Sequence, residues 1–128
     1  MDSNIILQDF AKAVAQLEKA LSIPADSEVV QAGCIQYFEF CFELAWKSIK
    51  ALGAEQGLSD CTSPKSCLRQ AFSQGWIDDE SLWLDMLMAR NRMSHTYDVH
   101  DALRVYEALQ SQYLPQFQLL LARLQAVS

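Results

Sequence analysis

The chain has 128 residues, 51% of them hydrophobic, and its 16 acidic against 10 basic side chains leave a formal net charge of −6 at pH 7. That size and apolar content suit one folded domain, residues 1–128, with a sizeable core. The acidic balance excludes a broad nucleic-acid-binding surface, whose footprint is basic; it leaves room for a local RNA contact built by symmetry from two chains, or for a basic protein partner.

No apolar run approaches the ~20 residues of a membrane span, and the first residues lack the basic-then-apolar pattern of a signal peptide. A cytoplasmic protein with no membrane contact is expected. Cys34, Cys41, Cys61 and Cys67 contain no C-x-x-C pair, and the first two lie in an apolar helical pattern typical of buried free thiols. Neither a metal site nor a disulfide is expected, and no cofactor is implied.

Residues Asn4 to Leu21 carry Ile5, Ile6, Phe10, Val14, Leu17 and Leu21 at steps of mostly three and four, the pattern of an amphipathic helix. Pro24 ends it, and Asp26 or Ser27 can cap the next. A second helix, Glu28 to Ala54, is apolar almost all round and should therefore be central. Glu39, Glu43, Lys47 and Lys50 interrupt it. The plainer reading is a solvated stripe stitched by a Glu43–Lys47 pair; the sharper one makes Glu39 or Glu43 the counter-charge that orients Arg90 from a neighbouring helix.

Gly53, Gly57 and the run from Ser59 to Ser63 read as a loop, and Ser63-Pro64 as an N-cap with proline at the first helical position of a short helix reaching Ser73. Gly75 is placed to stop it in the left-handed conformation, and Asp78, Asp79 and Glu80 begin a further helix to about Ser94. The last helix, Val99 to Ala126, is capped by Asp98, repeats Leu103, Tyr106, Leu109, Tyr113, Phe117, Leu120 and Leu124, and should kink at Pro115. Nothing reads as a strand. The expectation is all-α: an up-and-down four-helix bundle with an additional short helix.

Most of the reactive side chains fall between Ala89 and Asp98. On a helix, Arg90, Ser94, Asn91 and His95 lie at roughly 0°, 40°, 100° and 140°, one face, with Arg92 and Met93 opposite. Imidazole side chains exchange protons near neutrality, so a histidine can take a proton from a ribose 2′-hydroxyl or return one to a leaving oxygen. Arginine stays charged and grips phosphate with paired hydrogen bonds while negative charge builds on it. Asn91 can hold the phosphate or the ribose. This set permits RNA cleavage by internal attack of the 2′-hydroxyl without a divalent ion. One chain offers one convincing histidine, because His100 at a helix start reads as a surface residue; a twofold dimer would supply the second. The plainer readings are that His95 closes its helix, that Arg90 pairs with Glu39, Glu43 or Asp85, and that Tyr97 is a partly buried aromatic with a wet hydroxyl. Trp46, Trp76 and Trp83 read as core or interface.

Arg90, Asn91 and His95, with four residues between arginine and histidine, resemble the motif of the HEPN superfamily, and His95-Thr96-Tyr97 extends it to the longer pattern of its HepT-like members. Phe38-Glu39-Phe40, the run from Phe42 to Lys47, Ser63-Pro64, Leu82-Trp83 and Tyr113-Leu114-Pro115 are similar to the nucleotidyltransferase substrate-binding protein family, so the resemblance spans nearly the whole chain. It implies a homodimer with the motif near the interface, and a minimal nucleotidyltransferase as partner. It also implies one of two functions. The first is a ribonuclease toxin of a toxin–antitoxin pair, with Arg90 and His95 catalytic, Asn91 assisting, Glu39, Glu43 and Ser94 as possible supports, and silencing by adenylylation of Tyr97. The second is a non-catalytic subunit that presents substrate to the nucleotidyltransferase.

Overall fold

The computed structural model describes residues 3–24 and 26–128. Among the described residues the chain is all helical, without strands: α1 (Ser3–Leu21), α2 (Glu28–Glu55), α3 (Pro64–Ser73), α4 (Glu80–His95), α5 (Val99–Ala108) and α6 (Leu114–Val127). A π turn, Leu109–Tyr113, joins α5 to α6, so these two form one interrupted rod and the described residues make five helical segments.

Local chemistry sets the helix starts. Ser27 accepts the Val30 amide at 3.3 Å, Asp79 the Leu82 amide at 3.0 Å and Asp98 the His100 amide at 3.0 Å. At α3, Ser63 and Ser66 cap one another's backbone amides, with Pro64 behind them. Each such cap satisfies an amide that the helix cannot, and is worth about 1 kcal/mol. At its far end α3 stops on Gly75 (φ 76°), and the Trp76 amide reaches back to the Ala71 carbonyl at 2.8 Å. That closure requires a left-handed residue, which glycine supplies without strain.

The apolar helix α2 touches all five of the others, as its cladding demands. Phe10, Phe38, Phe42, Trp83 and Phe117 are completely buried and meet edge-on or tilted, with centroids 5.6 to 6.4 Å apart. Aromatic pairs prefer such geometries because a ring's positive edge seeks a negative face. Trp83 keeps its indole satisfied by donating to Gln116 Oε1 at 3.2 Å, and Met86 and Ala89 are equally buried. The body of α4 is thus anchored in the core, which fixes where its last turn emerges. Trp76 is also buried, whereas Trp46 is only partly so.

Three expectations are corrected, and the irregularity expected at Pro115 takes a particular form. Gly53 lies inside α2 and not in a loop: it is buried against α3, where a Cβ would run into the Gln70 amide. Cys61 and Cys67 are joined as a disulfide, with Cα atoms 4.2 Å apart. A six-residue separation is no recognised motif; the turn that delivers Ser63 to its capping position also brings Cys61 back over the first turn of α3. Cys34 and Cys41 are free and buried as expected, and burial pushes the Cys41 thiol up to about 12. Pro115 acts through the π turn: it has no N–H and its ring would crowd the Ser111 carbonyl, and the wider turn just before it removes that conflict, with the Leu114 amide bonding Leu109 instead. Finally, Ile5 and Leu103 face solvent, and Leu7, Ala102 and Val105 take the core positions.

Candidate functional site: the last turn of α4

Arg90, Asn91, Ser94 and His95 do not share the single face expected of them: Arg90 and Ser94 meet α2, while His95 lines a hollow with Asn91 and Arg92 beside α5. On the α2 side, Arg90 Nη2 reaches Glu43 Oε2 at 2.6 Å and Arg90 Nη1 donates to Asn91 Oδ1 at 3.1 Å. One turn later Ser94 Oγ donates to Glu39 Oε1 at 3.3 Å. On the other, Met93 is buried and Arg92 turns to α5, where its Nε and Nη2 grip Asp101 at 2.9 and 3.3 Å.

Glu43 is the hub. Besides Arg90 it takes the Lys47 ammonium at 3.3 Å and the Trp46 indole N–H at 3.1 Å. Burial works to raise its pKa, but the hydrogen bonds from Trp46 and Lys47 and the charge and hydrogen bond of Arg90 outweigh it and hold the carboxyl below its ordinary value of 4.5. The plain and the sharp readings of Glu43 are therefore both realised: one carboxylate stitches its own helix and pairs across to Arg90. With Arg90 26% and Glu43 34% exposed, such a pair is worth at most about 1 kcal/mol. Its main effect is orientation, because it sets the guanidinium against α2 with Nε left unused.

His95 is exposed, and among the described residues its ring makes no hydrogen bond or ion pair. The Thr96 amide donates to the Arg92 carbonyl at 2.9 Å, and His95 occupies the last turn of α4, where a basic residue suits the helix C-terminus. His95 lines an open hollow of about 420 Å³ with Asn91, Arg92, Thr96, Asp98 and Asp101. Tyr97 follows in the short turn between α4 and α5, half exposed, and no described residue bonds its hydroxyl. His100 is a surface residue beside the Asp98 cap. No group of three or more His, Cys, Asp or Glu side chains among the described residues is placed to hold a metal ion.

Two members of this neighbourhood were not singled out from sequence. Trp46 stands three residues after Glu43, a spacing that brings side chains together on a helix, and Asp101 occupies the acidic first turn of α5. Both signals were present, but each is too common to be distinctive.

This is an all-α protein with a polar, partly unengaged cluster at one helix end. The chain belongs to the family described as nucleotidyltransferase substrate binding protein like, whose model matches residues 6–126. It is 38% identical over 79 residues to a Haemophilus influenzae protein named "Probable ribonuclease HepT"; the match takes in 59% of this chain and 54% of that one, so the chain spans about half the length of this curated relative. Among solved structures it is similar to a Thermus thermophilus protein (TM-score 0.81, 32% identity, 90% of this chain and 98% of the other). It is likewise similar to a Haemophilus influenzae protein described as revealing the fold of a substrate binding domain of a nucleotidyltransferase (TM-score 0.82, 30% identity, 93% and 98%). Among the described residues no helix is long and apolar enough to cross a membrane.

Proposed function

We propose that the chain is a single HEPN-like domain, an up-and-down four-helix bundle with a short extra helix, that acts as a ribonuclease toxin at the cleft of a homodimer. The observation that carries this reading is the division of labour on α4: Arg90 is oriented by Glu43 and bonds Asn91, while His95 stands free on an open hollow that Asn91 also lines. His95 removes the proton of a ribose 2′-hydroxyl, and the 2′-oxygen attacks the adjacent phosphorus. The bond to the 5′-oxygen breaks, leaving a 2′,3′-cyclic phosphate. The leaving oxygen takes its proton from the second copy's imidazole. Arg90, with Asn91, stabilises the charge that builds on the phosphate. Glu39 and Ser94 act as supports, steadying the end of α4 against α2.

A minimal nucleotidyltransferase partner silences the toxin by adenylylating Tyr97: the phenol oxygen attacks the α-phosphorus of ATP, pyrophosphate leaves, and the phenolic proton goes to solvent. The attached AMP puts bulk and negative charge where the RNA phosphate must sit. Exposure of Tyr97 two residues from His95 supports this step. The family's description favours a second reading, a non-catalytic subunit that presents substrate to a nucleotidyltransferase.

RNA cleavage by the purified protein in EDTA separates the two. Wild type should cut, and His95→Ala and Arg90→Ala should each lose about 100-fold or more; equal activity of all three leaves only the binding subunit. Intact mass after incubation with the partner and ATP should show added AMP on wild type and none on Tyr97→Phe. An unmodified wild type rules out silencing by this route.

A further inference from the structure

The hollow beside His95 does not end there. A second hollow, of about 500 Å³, adjoins it beside α5 and is lined also by Arg104, Val105 and Tyr113; the two share Arg92, Asp98 and Asp101 as lining. Together they make one continuous groove leading away from His95. Three of its four charged side chains are already engaged. Asp98 caps α5 through the His100 amide, and Asp101 accepts from Arg92 at both of its oxygens. Arg104 is exposed and, among the described residues, makes neither an ion pair nor a hydrogen bond.

Asp98, Asp101 and Arg104 recur at every third position, so they run along one stripe of α5, with Arg104 about 9 Å beyond Asp98 along the axis. His95 lines only the first hollow and Arg104 only the second, so the free guanidinium stands along the groove from the imidazole. In a chain of net charge −6, which repels polyanions at long range, a local cation without a protein partner matters all the more.

Building on the ribonuclease reading above, we propose that this groove carries the RNA strand beyond the bond being cut and that Arg104 receives a non-reacting phosphate, so that the substrate is a continuous single strand and not a dinucleotide. Grooves that bind single strands follow the sugar–phosphate backbone with cations, and the planar guanidinium suits a phosphate's paired oxygens.

The test uses the purified full chain and two versions of one mixed-sequence RNA of about 20 nucleotides. The 2′-O-methyl version cannot be cut and reports binding by fluorescence anisotropy; the unmodified version reports cleavage in EDTA. Arg104→Ala should weaken binding about tenfold and shallow the dependence of log K on log salt by about 0.7, the loss of one single-strand phosphate contact. Arg104→Lys should recover most of the affinity. Arg69→Ala removes the same charge from α3, outside the groove, and should bind as wild type does. Thermal melts accompany each variant, and Arg104→Gln replaces the alanine variant if that one fails to fold. If wild type cuts RNA while Arg104→Ala binds and cuts equally well, the groove proposal falls and the ribonuclease reading stands. Equal weakening in Arg104→Ala and Arg69→Ala also overturns it, because net charge would then explain both. Binding that depends on Arg104 without any cleavage sustains the groove and removes the ribonuclease. Absence of both binding and cleavage removes both.

Discussion

Arg90 and Arg92 are the same residue type, two positions apart on one helix, yet they do different work. Arg92 commits two of its nitrogens to a single carboxylate of the next helix, at 2.9 and 3.3 Å, and so staples the turn that carries Tyr97. Arg90 spreads its bonds over two partners, Glu43 at 2.6 Å and the neighbouring Asn91 at 3.1 Å, and lies on the face that Ser94 shares. Residue type therefore says little about an arginine on this helix until its acceptor is known. An intrahelix amide can give way to a phosphate; a two-point grip on a carboxylate resists exchange.

Breaking each side in turn tests that difference. The largest expected effect is the loss of about 100-fold or more in cleavage by Arg90→Ala and His95→Ala with melting temperatures close to wild type, because both side chains lie outside the core. Comparable activity in all three would erase the distinction between the two arginines.

Next comes Glu43→Gln, which keeps the shape but removes the charge that sets Arg90. Its cleavage rate should fall about tenfold, the cost of a misplaced phosphate clamp. The same variant has a pH signature. The Glu43 pKa is depressed in the folded chain, so its contribution is fully present above the ordinary value of 4.5 and is lost as pH falls through the lower, folded value. Wild type should therefore lose stability on acidification below about pH 4.5, and Glu43→Gln should flatten that part of the curve in urea titrations at successive pH values. Parallel curves would show that the carboxylate's partners do not favour its charged form.

A smaller effect belongs to the other face. The pair is well exposed on the Arg92 side, at 52%, so Arg92→Ala should lower stability by only about 0.2–1 kcal/mol, a shift of a few degrees at most in a thermal melt. A much larger loss would mean that the α4–α5 turn depends on this staple. Smallest is Ser94→Ala, which removes one long hydrogen bond to Glu39 and should stay within about 0.5 kcal/mol in the same melts.

What could be read from the sequence follows from distance along the chain. Ser63 and Pro64, Asp79 before Glu80 and Asp98 before Val99 announce their helices because a cap acts over three residues, and those starts fall where the sequence reading puts them. The pairing of Arg90 with Ser94 along α2 follows from the period of one helix, but an arc of about 140° is too wide for one face, and His95 lines its hollow with Arg92 instead of Arg90. The choice between Glu39 and Glu43 does not follow from that period, because it is settled by how α2 and α4 pack, across 47 residues of chain for Glu43 and Arg90. Gly53 fails for the same reason: glycine near a helix end ordinarily signals a stop, and only the buried Gln70 amide opposite reveals why this one sits inside α2. The Cys61–Cys67 link depends on a turn whose course no motif encodes.

The wide turn between α5 and α6 governs the phase of the final rod. Leu109, Tyr113 and Phe117 advance in two successive steps of four, a rhythm that a regular α-helix would carry off the core by about 80°. The extra residue taken up there keeps all three in register, and lets the Tyr113 ring lie stacked on Phe38, centroids 5.5 Å apart. Deleting one residue between Gln110 and Gln112 would therefore remove the bulge and leave α6 near its present phase, whereas forcing the full-length segment into a regular α-helix would carry Phe117 off by about 80°.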